Sequence, residues 1–316
     1  MAPLSLFFSS LFFSAALGAP AAAKGSNLAR DLSTVLSFKR EIAVDPLNLT
    51  KSWTGNDVCK FAGFSCGKNP DTGINSLGGV DLNGAGLAGK HLVLDGFFDK
   101  LLDLAYFHVN GNGFTGTFPK DLSALKSLYE IDVGSNQLSG PFPTSVFDLN
   151  ISYLGLSFNE FSGPIPEEVF NLGFDALVLN NNKFSGGIPD NIGSSPVSEL
   201  VLANNKLNGS VPKGVGNMKY LQQIILSGND LSGSLPSNYA IQNLTVFDVS
   251  DNKLSGSVPE GLCKLDTLGA LNLSKNNFSG TLGPACTALL NKKVLDISNN
   301  CIQGVKHQKP ASQCNH

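Results

Sequence analysis

Histidine, methionine and tryptophan are nearly missing from this sequence, at four, two and one among 316 residues. Histidine is the side chain that changes charge near neutral pH and a leading metal ligand, so its scarcity works against an enzyme and against a metalloprotein. No H-E-x-x-H segment and no Cys/His cluster with ligand spacing is present either. The sequence therefore predicts no catalytic residue, no metal and no cofactor. Charge is sparse as well: 15% of residues are charged, and 22 Lys+Arg stand against 25 Asp+Glu for a net charge of −3. Nucleic-acid binding needs a concentrated basic footprint, which this balance excludes. No run of 18 apolar residues occurs, so no transmembrane anchor is expected. What the chain does have is 42% hydrophobic residues, including 21 Phe, with 34 Gly and 16 Pro. That composition supplies a core and lies below the Gly and Pro content of disordered chains.

Residues 1–23, MAPLSLFFSSLFFSAALGAPAAA, hold no charged side chain, and their apolar stretch runs from Leu4 to Leu17 before small residues follow. A spanning helix needs about 20 apolar residues, so this segment reads as a secretory signal peptide. The mature chain is then expected to be secreted. Six cysteines, Cys59, Cys66, Cys263, Cys286, Cys301 and Cys314, are an even number, and in an oxidising compartment they are expected to form disulfides.

A fixed period dominates the rest. The pattern L-x-x-L-x-L-x-x-N-x-L-x-G recurs as LAYFHVNGNGFTG, LYEIDVGSNQLSG, ISYLGLSFNEFSG, FDALVLNNNKFSG, VSELVLANNKLNG, LQQIILSGNDLSG, LTVFDVSDNKLSG and LGALNLSKNNFSG. Its Asn column holds Asn112, Asn136, Asn159, Asn182, Asn205, Asn229, Asn252, Asn276 and Asn300, each 23 or 24 residues after the last, and an imperfect first copy puts Ala85 there. Such a period is the mark of a solenoid. The L-x-x-L-x-L segment predicts a short strand with alternate side chains in the core. The Asn amide, with two donors and an acceptor, suits a ladder that satisfies backbone groups of its own coil and its neighbour. Gly in each copy suits a tight bend. G-x-φ-P segments follow, ending at Pro119, Pro143, Pro166, Pro189, Pro212, Pro236 and Pro259.

This combined signature resembles plant-type leucine-rich repeats. The resemblance implies an α/β solenoid: a right-handed superhelix of about ten coils, a parallel sheet on its concave side, and a second short strand before a helical or 3₁₀ return. The run LSTVLSFKREIAVDPLNLTKSW followed by CKFAGFSC resembles the plant-type N-terminal cap, with a helix, a Trp and a disulfide. The segments AYFHVNGNGFTG, LYEIDVGSNQLSGPFP, YLGLSFNEFSGPIP, SSPVSELVLANN, QIILSGNDLSG and LTVFDVSDNKLSG resemble the repeat domain of plant leucine-rich repeat extensins, over roughly residues 28–290. The expected layout is a signal peptide at 1–23, an N-terminal cap at 24–76, repeats at 77–304 and a C-terminal cap tail at 305–316. No Ser-Pro-rich extensin tail follows, so covalent anchoring in a wall is not carried over.

The resemblance implies a Cys59–Cys66 disulfide in the cap. Shifting Cys263 by one 24-residue period lands beside Cys286, so those two thiols are expected in adjacent columns of stacked coils, within reach of a disulfide. Elimination leaves Cys301–Cys314, one of fifteen ways of pairing six cysteines.

Two motifs compete with the repeat. Gly111, Asn112, Gly113 and Gly116 spell G-x-G-x-x-G after a strand, but a dinucleotide site needs a following helix and a βαβ unit, whereas the ladder and bend columns account for Asn112 and Gly116. His108 has no partner that would make it a catalytic base and is expected to be a surface contact at most. Sequons at Asn48, Asn150, Asn208, Asn243, Asn272 and Asn277 are candidate glycan sites, with Asn272 expected to face outward in the ninth strand.

Function in a solenoid usually lies on the concave face. Its outward positions hold Asp81, Glu130, Asp132, Asp175, Glu199, Asp248, Asp251 and Asp296 against Lys275 and Lys293, which leaves the remainder of the chain net positive. An acidic face steers basic partners. Val178, Val201 and Ile225 share one outward column and predict an exposed apolar stripe, with Tyr106, His108, Tyr153 and Phe158 beside it. These residues, with Glu130, Asp132 and Asp248, are the expected ligand surface for an extracellular protein or basic peptide. The extensin resemblance implies basic, cysteine-rich rapid-alkalinisation peptides as ligands, in the cell wall or apoplast. The alternatives are an inhibitor of wall-degrading enzymes such as polygalacturonases, a kind of inhibitor that this chain resembles in repeat type and length, and a structural component binding wall polysaccharide such as pectin. An acidic face repels polygalacturonate, and oligomeric state stays open.

Overall fold

The computed structural model describes residues 27–69 and 72–314; the expected signal peptide at 1–23 lies outside them. Each coil contributes a three-residue strand whose middle side chain points inward. Phe107, Ile131, Leu154, Leu177, Leu200, Ile224, Phe247 and Leu271 are all buried in this way. These strands stack in chain order into an eleven-stranded sheet. All its pairings are parallel except at the N-terminal edge, where Phe64–Lys68 runs antiparallel to Asn75–Asp81. The register carries a residue onto its counterpart one repeat later, as with Val178, Val201 and Ile225 on three consecutive strands. Sequence columns are therefore physical rows across the sheet.

A second sheet of nine strands, from Thr115–Thr117 to Cys301–Ile302, runs beside the first. It is built from the residues just after each ladder Asn. The G-x-φ-P prolines then act as switches. Pro143, Pro166, Pro189 and Pro212 each stand directly before a 3₁₀ helix: Thr144–Asp148, Glu167–Asn171, Asp190–Ser194 and Lys213–Asn217. Proline lacks the N–H that strand pairing would use and fixes φ, so it stops the strand and starts the return.

The Asn ladder is continuous. Asn182 Nδ2 donates to Leu156 O in the preceding coil at 2.9 Å and to Leu179 O in its own at 3.1 Å, while its Oδ1 accepts from Phe161 N at 3.0 Å. The same pattern holds from Asn112, whose Oδ1 takes Leu87 N, to Asn300, whose Oδ1 takes Phe278 N. Leaving such buried groups unpaired costs about 1–3 kcal/mol. Gln308 continues the series beyond Asn300. Its Nε2 donates to Ile297 O at 3.1 Å and its Oε1 accepts from Ile302 N at 3.0 Å, the two groups a further coil's Asn would take.

The residue before each rung has a left-handed backbone, with φ between 50° and 72° from Gly111 through Asn299. Glycine, Asn, Ser and Asp tolerate that region; a bulky residue does so at a cost. Phe158, at φ 53°, is the aromatic exception in this row.

At the N-terminus the helix Leu28–Glu41 buries Asp31, Val35 and Phe38, spaced to lie on one face. Phe38 stacks on Phe97 with ring centroids 3.8 Å apart and reaches Phe114 and Trp53. Trp53 Nε1 donates to Ala62 O at 2.8 Å, so its one polar atom is satisfied while the ring is buried. Arg30 bridges Asp31 and Asp103, tying the helix to the coil that precedes Tyr106. The disulfides join Cys59 to Cys66, Cys263 to Cys286 and Cys301 to Cys314, with Cα separations of 5.4, 5.0 and 5.6 Å. These are the same three pairs reached from the sequence.

Candidate functional site

The outward side chains of the concave sheet form two rows per strand. Tyr106, Glu130 and Tyr153 are in register in one row, and His108, Asp132 and Gly155 in the other. His108 Nε2 lies 3.2 Å from Glu130 Oε2, and the rings of Tyr106 and His108 are 5.1 Å apart. Asp132 Oδ1 accepts from Asn110 Nδ2 at 3.1 Å and from Gly134 N at 3.0 Å. Phe158, five residues after Tyr153 in the chain, is 55% exposed. Strand register thus brings Tyr106, His108, Glu130, Asp132 and Tyr153 together.

The aliphatic stripe differs from expectation. Val178 is buried, with 9% exposure, and Val201 and Ile225 are half-buried. Adjacent strands hold these three branched side chains side by side, so each covers the flank of the next. The stripe is a recessed apolar floor instead of an exposed ridge. Asp248 lies beyond it, accepting from Ser250 N at 2.8 Å and from Asn272 Nδ2 at 3.3 Å.

Local bonding accounts for part of the acidic row. Asp81, Asp132, Asp248 and Asp296 each accept the backbone N–H two residues on, the Asx turn that ends the strand. Their charge remains on the face, but their placement has a structural cause. Glu199 differs: burial raises its carboxyl above the usual range, and it accepts from Gln223 Nε2 at 3.2 Å. Burial, followed by the charges of Asp132, Glu199 and Glu130, also raises the Tyr153 phenol well above its ordinary value.

Sequence reading passed over Tyr129, which is 42% exposed immediately before Glu130, and the glycines that shape the patch. Gly79 is in register with Tyr106, and a Cβ on it would collide with the Tyr106 ring. A Cβ on Gly155 would come within 2.8 Å of the Tyr153 hydroxyl and 2.9 Å of Asp132 Oδ1. Glycine in a row otherwise filled by side chains is the signal that could have found them.

The G-x-G-x-x-G segment is repeat structure: Asn112 is a rung, and Gly111 and Gly116 take φ of 72° and 81°. Of the sequons, Asn48, Asn150, Asn208 and Asn243 are exposed. Asn272 is half-buried and bonded to Asp248 and Ser274, and Asn277 accepts from Lys309 Nζ at 2.6 Å. Among the described residues no helix is long and apolar enough to cross a membrane, and no group of three or more His, Cys, Asp or Glu is placed to hold a metal ion.

A repeated strand, an Asn rung and a 3₁₀ return define a leucine-rich repeat solenoid, and family comparison agrees. The Leucine rich repeat N-terminal domain matches residues 28–67, and the Leucine Rich Repeat matches residues 150–172 and 243–265. The chain thus carries leucine-rich repeats behind a matching N-terminal domain, and its relatives are plant leucine-rich repeat proteins. It is similar to Leucine-rich repeat extensin-like protein 1 of Arabidopsis thaliana, 40% identical over 98 residues, which cover 31% of this chain and 13% of that one. Among solved structures, PEPR1–AtPEP1 superposes with a TM-score of 0.70 at 26% identity, over 85% of this chain and 41% of that one. The plant peptide hormone receptor RGFR1 in complex with RGF2 does so with a TM-score of 0.59 at 32% identity, over 65% and 33%. This chain spans well under half the length of each.

Proposed function

We propose that this protein is a secreted binding module of the plant cell wall or apoplast that captures a protein or basic peptide on its concave face. The observation that carries the reading is the patch on three adjacent strands, where Tyr106 and Tyr153 flank Glu130 and His108 stands beside Asp132, with Phe158 exposed further along the same coil as Tyr153. Aromatic side chains bring large contact area with little entropy loss, and carboxylates bring charge selection. The recessed floor of Val178, Val201 and Ile225 continues it, and Asp248 bounds the far side. RGFR1, a plant peptide hormone receptor solved with RGF2, supports peptide capture by this kind of solenoid. The extensin resemblance favours a basic, cysteine-rich rapid-alkalinisation peptide.

The test is retention of a partner from plant wall extract on immobilised protein, with mass spectrometry of the eluate. Wild-type protein should retain a basic peptide or protein. Val201→Lys should lose it while keeping its melting temperature, because a lysine there can extend its charge to solvent. Undiminished capture by that variant places the ligand away from the floor.

A further inference from the structure

Three of the five tyrosines in the chain, Tyr106, Tyr129 and Tyr153, fall in three consecutive coils at the concave face. Their rings are not merely present; two of them are laid down. The Tyr106 ring lies across the neighbouring strand where Gly79 leaves room, and the Tyr153 ring leans along its own strand over Gly155. A side chain at either glycine would lift the ring away. The two glycines thus fix where the rings stand beside Glu130, and the face of an aromatic ring is its electron-rich side.

Between these two rings stands Glu130, in register with both. Asp132 is on the same face of the same strand, about 7 Å further along. Tyr153 is raised by burial first and then by Asp132, Glu199 and Glu130, so negative charge converges on this point. The parallel strands from Asn75–Asp81 to Leu295–Asp296 hold no Lys or Arg; Lys68 stands on the antiparallel edge strand, and Lys275 and Lys293 lie in turns near the opposite end. Glu130 faces His108, which is charged only when protonated, at 3.2 Å.

We infer that Tyr106, Glu130, Asp132 and Tyr153 form a subsite for one arginine side chain of the captured ligand. This rests on the concave-face reading above and narrows it. Arginine fits better than lysine for two reasons. Its planar guanidinium stacks on an aromatic face, and its fork of N–H donors engages carboxylate oxygens while doing so. Lysine, a compact and strongly hydrated point charge, uses the carboxylates but gains little from flat rings.

The test uses the full secreted chain and two fluorescent synthetic peptides, hexa-arginine and hexalysine, in anisotropy titrations at physiological salt. Hexa-arginine should bind about tenfold more tightly than hexalysine. Glu130→Gln and Tyr153→Leu should each weaken hexa-arginine about tenfold, with melting temperatures near wild type, and should narrow the gap between the peptides. Asp296→Asn removes the same charge from the far end of the face and should change little. Equal affinity for both peptides, or an equal loss in Asp296→Asn, overturns the subsite and leaves only a diffuse field. If Glu130→Gln and Tyr153→Leu still retain the wall-extract partner while Val201→Lys does not, the subsite fails and the concave-face reading stands. If wild-type protein retains neither partner nor peptide, both fall.

Discussion

The two ends of the solenoid meet the same problem with different chemistry. At each end a coil has one face with no neighbour. The N-terminal end is covered by apolar burial: Phe38, Trp53, Phe97 and Phe114 form an aromatic plug beneath the helix Leu28–Glu41. The C-terminal end is closed by polar and covalent devices. Gln308 completes the ladder, Lys309 Nζ reaches Asn276 O and Asn277 Oδ1, and the Cys301–Cys314 disulfide fixes the segment between them. The first end also holds the Cys59–Cys66 disulfide, but that link has a sequence separation of only 7, so this end should depend more on volume than on redox conditions; the second should be the reverse.

The largest expected effect is Trp53→Ala, which empties a fully buried site and should cost about 3–5 kcal/mol. Chemical denaturation measures it, and a loss below about 1 kcal/mol would mean that the plug does not seal the first coil. Next comes the double substitution Cys301→Ser with Cys314→Ser. Opening a link of sequence separation 13 should remove about 3 kcal/mol in the chain-entropy model. Amide exchange should then quicken around Leu295–Asp296 and leave Asn75–Asp81 as before; uniform loss of protection would contradict separate ends. Gln308→Leu should cost about 1–3 kcal/mol by stranding Ile302 N–H and Ile297 C=O, similar to Asn182→Leu at a central rung. A neutral Gln308→Leu alongside a costly Asn182→Leu would show that the last rung is dispensable. The smallest effect concerns sugars. Glycopeptide mapping should find Asn48, near the N-terminal end, and the exposed Asn150, Asn208 and Asn243 occupied, and Asn277, held by Lys309, bare. A glycan on Asn277 would show that the Lys309 contact is not needed to close that end.

How far the sequence could be read depended on periodicity. The Asn rungs, the inward Leu, Ile and Phe of each strand, and the Cys263–Cys286 pair recur at a constant spacing, so one coil predicts the next. Features that depend on a neighbour in space and not in the repeat were harder. Val178 stands in an outward column between Gly155 and Val201, and its burial there could not be read from the column alone. The Asp132 and Asp248 carboxylates turned out to end their own strands. The attitude of Tyr106 is set by Gly79, a residue 27 positions earlier. Gln308 was invisible as a rung because it reaches Ile302 from six residues away, whereas Asn300 reaches Phe278 from 22.

The ladder also has a direction. Leu156 O takes one amide from Asn159 of its own coil and a second from Asn182 one coil later, and Phe161 N is satisfied by Asn182 alone within the ladder. A chain that emerges from its N-terminus therefore always carries one unfinished coil at its growing end. At a synthesis rate of about 5–20 residues per second, each coil waits on the order of one to five seconds for its closing amide. A stack that ordered as it was made would grow at the pace of translation, one rung at a time, and Gln308 is the group that would let it stop.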